Sequence, residues 1–234
     1  MTGVLIVIVV RDPRRAKTRL RTALAPRQRA SLAQAMLDDV IGAATRTRRP
    51  VLVVTDARSV AVHARRLGAR ATVTPAQGTR DGAAHGVRLA ARYGAGAALV
   101  VAADLPFATA ADLRRVIAAG RHAEIVIVPD GVGSGTNALF LRPPSRLAPL
   151  FGHDSLAAHR RAAGSHGQVL RIARLGIDID SPDDLRALQR SARWAGTNTR
   201  RVLAAIASGA APSTRRESPS PRAARSRTRR SPLR

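Results

Sequence analysis

The chain contains no cysteine, five aromatic side chains and one lysine. The lack of cysteine excludes disulfides, cysteine-ligated metals and thiol catalysis, and is compatible with the cytosol. With aromatics at 2% of residues, there are few platforms on which nucleic-acid bases could stack. No apolar stretch approaches the ~18–20 residues of a membrane span. The sequences GxSxG, HExxH and Walker A are all missing, which removes the commonest hydrolase, zinc-protease and P-loop signatures. Acidic residues are also scarce, 15 against 40 basic ones, so the placement of each is informative.

What is present is a net charge of +25 on 234 residues, a length that suits one domain with a sizeable core. Such a charge attracts phosphate in any form, polymeric or nucleotide. The near-total choice of arginine over lysine has the look of compositional drift, which makes Lys17 in "RAKTRL" stand out. The start, "MTGVLIVIVVRDP", has no basic n-region, a short apolar run and no cleavage site, so we expect no signal peptide and a cytoplasmic protein.

Apolar runs alternate with helical patterns. Val4 to Val10 reads as a strand buried on both faces. Pro26 opens a helix carrying Leu32, Met36 and Val40, and residues 50–55 read as a second strand. Residues 59–68 form a short helix stopped by Gly68, and 71–74 a weaker strand. A helix is expected over 82–94 despite two internal glycines. "ALVVAADLP" (98–106) is the clearest central strand, followed by a helix capped by Thr109 with Asp112. "EIVIVP" and "NALFLR" are strands around the loop "DGVGSGT", residues 154–164 a helix, and "LGIDIDSPDDLRAL" a last strand and helix. This order predicts an α/β fold, a three-layer, doubly wound, mostly parallel sheet that binds ligands at its strands' carboxyl ends. We expect one domain over 1–195 and a disordered Ser/Pro/Arg-rich tail over 207–234.

Asp104 ends the central strand, and Asp178 and Asp180, two apart, point to one side. Hard oxygen ligands from separate strand ends suit Mg²⁺; equally, Asp104 could precede a turn and Asp180 cap a helix. The basic loop after the first strand holds Arg11, Arg14, Arg15, Lys17, Arg19 and Arg21, either a polyphosphate cradle or a solvated loop. Gly131, Gly133 and Gly135 would let backbone approach a ligand, with Thr136 and Asn137 as donors, or would simply mark a hairpin. Ser155 starts a helix, where it could meet an anion or act as a cap. His85, His153 and His159 show no metal spacing and read as surface or rim residues.

Taken in order, "VIVVRDPRRAKTRL", "AMLDDV", "AADLP", "GSGTNALFLRPP", "FGHDSLAAHRRAA" and "IDIDSPDDL" resemble the 2-phospho-L-lactate/phosphoenolpyruvate guanylyltransferases of coenzyme F-420 biosynthesis, over roughly residues 4–190. The resemblance implies a nucleotidyltransferase fold related to the molybdenum-cofactor guanylyltransferases and the GT-A glycosyltransferases, Rossmann-type in layout. It implies that the phosphate of a small phospho-acid attacks the α-phosphorus of GTP and releases pyrophosphate. Metal ligands would be Asp104, Asp178 and Asp180 for Mg²⁺. Lys17 and Arg19 would act on the GTP phosphates, with Arg11 also binding substrate. Thr136, Gly152 and Ser155 would bind the phospho-acid. The implied partners are GTP, the acid (phosphoenolpyruvate, 2-phospho-L-lactate or 3-phosphoglycerate) and, as an option, a second copy in a homodimer. The family usually has lysine at Arg11 and asparagine at Ala84. Ala84 keeps open a related nucleotidyltransferase loading a pterin or sugar phosphate. The charge keeps open nucleic-acid binding: residues 212–234 carry eight arginines against Glu217, so the tail would be the part that does it.

Overall fold

The computed structural model describes residues 3–75 and 78–209. Strand β1 (Val4–Val10) turns Val4, Ile6 and Ile8 to one face and Leu5, Val7 and Val9 to the other, and each set enters its own apolar cluster. That double burial is why the run is continuous rather than alternating with polar residues. Around it lie β2 (Val51–Thr55), β3 (Arg70–Val73), β4 (Ala97–Ala102), β5 (Ile125–Pro129), β6 (Thr136–Leu141) and β7 (Gly167–Val169). They form one seven-stranded sheet in the order β3-β2-β1-β4-β6-β5-β7. Only β6 runs against its neighbours β4 and β5; every other pair is parallel. The expected mostly parallel, doubly wound sheet is therefore what the chain forms.

Helices cover both faces. α1 (Pro26–Thr45), α2 (Arg58–Arg66) and α4 (Ala110–Ala119) pack Val40, Val60 and Leu113 against the Ile6 side. α3 (Thr79–Arg92) and α5 (Ser155–Ala163) pack Val87 and Leu156 against the Val7 side. The glycines inside α3 have a packing cause. A Cβ at Gly82 would lie 2.6 Å from Val9 Cγ1, and one at Gly86 would lie 2.4 Å from Val7 Cγ1. The helix thus approaches the sheet more closely than alanine allows, which offsets its low propensity.

A third apolar cluster lies off the sheet. Leu20, Leu24, Leu32, Met36, Phe107 and Ile179 meet residues of α6 (Pro182–Arg190) and α7 (Thr197–Ala207) there. Asp39 of α1 accepts from the Asn198 and Thr199 N–H groups at 3.0 and 2.8 Å, compensating the N-terminus of α7. This helix lies past residue 195, and most of the expected tail, 210–234, lies outside the described residues.

One expected strand is corrected. Residues 177–180 join no ladder; the seventh strand is Gly167–Val169, at the edge beside β5. The alternation that suggested a strand has another cause: Ile179 is buried in the third cluster while Ile177 stays exposed. Among the described residues, no helix is long and apolar enough to cross a membrane.

Candidate active site

The strand order reverses between β1 and β4, and a doubly wound sheet opens a crevice at the carboxyl ends there. The loop after β1 and Asp104 after β4 both emerge at this point. The loop makes one 3-10 turn at 13–15, held by the Asp12 carboxylate accepting from Arg14 N–H, and a second over Thr18–Thr22. Between them Lys17 adopts a left-handed conformation, φ 55°, uncommon for a residue with a side chain. Fully buried Leu20 fastens the second turn into the third cluster. The side chain of Lys17 is consequently driven inward and is only 7% exposed.

Its ammonium donates to Asp104 and, at 2.8 Å, to Oδ1 of Asp180. Burial on its own would depress the Lys17 pKa, but the two carboxylates outweigh it and hold the group above its ordinary value. Asp180 is fixed by the start of α6: Ser181, not Asp180, caps that helix, and Asp184 accepts from the N–H groups of Asp180 and Ser181. Asp178, on the far side of buried Ile179, accepts from the Asn137 amide at 3.2 Å. Burial pushes its carboxyl up, Asn137 opposes this, and the nearby charges of Asp104 and Asp180 push it further.

Asp104, Asp178 and Asp180 each offer one oxygen within 4.8 Å of the others. Three mutually repelling hard donors at a crevice, each half-buried or better, fit a divalent cation that completes its shell with water and phosphate oxygens. The structure thus brings together the three aspartates and Lys17. Arg19 stands at the rim, highly exposed, with Nη1 3.9 Å from Asp180. Arg11 is exposed beside a small hollow lined by Asp56, Thr74 and Gly78, and Arg14, Arg15 and Arg21 are also exposed.

A second group forms beyond β6. Thr136 and Ser155 are buried, and Gly152 has φ +135°. Of the two readings of the glycine loop, the hairpin is the one formed: it joins antiparallel β5 and β6, and the N–H groups of Gly133, Ser134 and Gly135 are spent on the Asp130 carboxylate. Asn137 likewise turns inward, to Leu175 and Asp178. His159 is not a surface or rim residue. It is fully buried, and its ring touches Thr136 and the Leu150 N–H. Its position four residues after Ser155, hence on the same helix face, was the available signal. Arg80, also missed, donates to the Phe151 carbonyl next to Gly152.

Fold and site together define a nucleotidyltransferase-type enzyme: an α/β sheet with an acidic triad and a basic loop at its switch point. The chain belongs to the family described as "Guanylyl transferase CofC like", whose profile matches residues 4–217. It is 39% identical over 193 residues to the phosphoenolpyruvate guanylyltransferase of Sphaerobacter thermophilus, covering 80% of this chain and 93% of that one. It is 31% identical to the 3-phospho-D-glycerate guanylyltransferase of Colwellia psychrerythraea, with coverage of 78% and 90%. A Desulfovibrio desulfuricans structure assigned to the nucleotide-diphospho-sugar transferases superposes with a TM-score of 0.70 at 16% identity, over 89% of this chain and 96% of that one, and supports the fold.

Proposed function

We propose that the chain transfers GMP from GTP to a small phospho-acid, releasing pyrophosphate. The observation that carries this reading is the convergence of Asp104, Asp178 and Asp180 with buried Lys17 at the sheet's switch point. In this reading a phosphate oxygen of the acid bonds to the α-phosphorus of GTP. The bond from that phosphorus to the oxygen bridging toward the β-phosphorus breaks, and pyrophosphate leaves with its electrons. The attacking phosphate is already ionised, so no general base is required. The work is positioning and charge neutralisation.

Asp104, Asp178 and Asp180 would hold Mg²⁺, which when bound neutralises phosphate charge during the transfer. Lys17 and Arg19 would face the triphosphate, Lys17 as a point charge and Arg19 as a mobile fork at the rim. Arg11, beside the hollow at the ends of β1 and β2, would contact the nucleotide. Thr136, Gly152 and Ser155 would receive the acid. The relatives' acceptors favour phosphoenolpyruvate, with 2-phospho-L-lactate and 3-phosphoglycerate as the same chemical class, and the place of the reaction would be cytoplasmic coenzyme F-420 biosynthesis.

The test is pyrophosphate release from purified protein with GTP, Mg²⁺ and each acid in turn. Release with at least one acid supports the reading. Folded protein that releases none, or that prefers a pterin or sugar phosphate, contradicts it.

A further inference from the structure

His159 lies on the inner face of α5, one turn after Ser155, with Phe151 stacked edge-on at 5.3 Å between ring centroids. The N–H of Leu150 lies 2.8 Å from Nε2, and an amide N–H can only donate. Nε2 therefore holds the lone pair, and a neutral imidazole carries its proton on Nδ1. Nδ1 lies 2.9 Å from the Thr136 hydroxyl oxygen. The ring donates and the threonine oxygen accepts, so the hydroxyl proton is left for an acceptor other than the imidazole.

That direction matters because carboxylate and phosphate groups only accept hydrogen bonds. The opposite tautomer would turn the hydroxyl proton toward the ring and present lone pairs to the anion. The imidazole is kept neutral by its surroundings. Burial is the main cause, the Ser155 carbonyl acts against it, and the Arg80 guanidinium facing it adds to the effect, leaving a pKa of about 4.

We infer that His159 is a positioning residue for the phospho-acid: it fixes the Thr136 hydroxyl as a donor and ties β6, the Leu150–Gly152 bend and the first turn of α5 into one anion-receiving wall. The inference rests on the proposed role of Thr136, Gly152 and Ser155.

Two substitutions separate its two bonds. Glutamine places its amide near the position of Nε2, so His159→Gln can keep the Leu150 contact and drops the donor to Thr136. Asparagine places its amide near Nδ1, so His159→Asn keeps that donor and drops the Leu150 contact. With His159→Gln we expect KM for the acid to rise roughly tenfold or more, with KM for GTP and Tm close to wild type. With His159→Asn we expect Tm to fall while KM for the acid stays near wild type. In a Thr136→Val background, His159→Gln should add little further.

The wild-type imidazole tautomer, read from ¹⁵N NMR shifts, should be Nδ1–H. An Nε2–H tautomer, an unchanged acid KM in His159→Gln, or full additivity with Thr136→Val would overturn the inference while leaving the transferase reading intact. Wild-type protein inert toward every acid would remove the reading beneath it, and the inference with it.

Discussion

The ammonium of Lys17 and the carboxylate of Asp180 meet at 2.8 Å across 163 residues of sequence, with Asp104 on the same nitrogen. The contact joins the exits of two central strands to the start of α6. One compact charge serves both acids, and a planar guanidinium does not fit that geometry in the same way. Lys17→Arg should fold with a Tm near wild type and lose turnover on the order of 100-fold. Steady-state kinetics at saturating substrates, beside a melting curve, check it.

The aspartate triad predicts metal dependence with a readout that needs no turnover. Mg²⁺ should raise the Tm of wild-type protein, because a ligand at 100 times its Kd stabilises the folded state by about 2.7 kcal/mol. Asp178→Asn removes one donor, and in it the Mg²⁺-induced shift should largely disappear. Chelation by EDTA should abolish activity, and added Mg²⁺ should restore it.

Much of this was legible in the sequence, and the reason differs from place to place. The strands β1, β2 and β4 announced themselves because burial on both faces leaves continuous apolar runs. The three aspartates were legible because acids are scarce, with Asp104 closing an apolar strand and Asp178 and Asp180 flanking Ile179 just before a proline-started helix. Residues 177–180 misled because Ile177 and Ile179 alternate with aspartates as strand residues do, yet only Ile179 is buried and the segment pairs with no strand. Of the two readings left open for the Asp130 loop, the sequence could not choose the hairpin, because its donors are consumed locally by a carboxylate five residues or fewer away. His159 was hidden because its partners, Thr136 and Leu150, come from elements whose adjacency only the fold decides.

Leu20 is predicted to couple stability to the site. Its side chain is fully buried beside Ile179, and both anchor segments that present Lys17, Asp178 and Asp180. Leu20→Ala should cost about 2–5 kcal/mol by urea unfolding. It should also weaken the Mg²⁺-induced shift in Tm, since the loop that balances the triad's charge loses its anchor.

His159 predicts a pH dependence of stability. Its folded pKa of about 4 lies below the ordinary value of 6.5, so between these values the unfolded chain binds a proton that the folded chain does not. Stability should therefore fall as pH drops from about 6.5 toward 4, by on the order of 3 kcal/mol in all from this group. Urea midpoints measured across that window should slope less steeply in His159→Gln, which has nothing to protonate there. Equal slopes would show that the imidazole is not held neutral.

The central claim is guanylyl transfer to a phospho-acid, and the fate of the GTP phosphates tests it most directly. With GTP radiolabelled at the α-phosphorus or at the γ-phosphorus, Mg²⁺ and phosphoenolpyruvate, the α label should appear in a product bonded to the acid and the γ label in pyrophosphate. The α label remaining entirely in GTP, GDP or free GMP with every acid of the class would contradict the account.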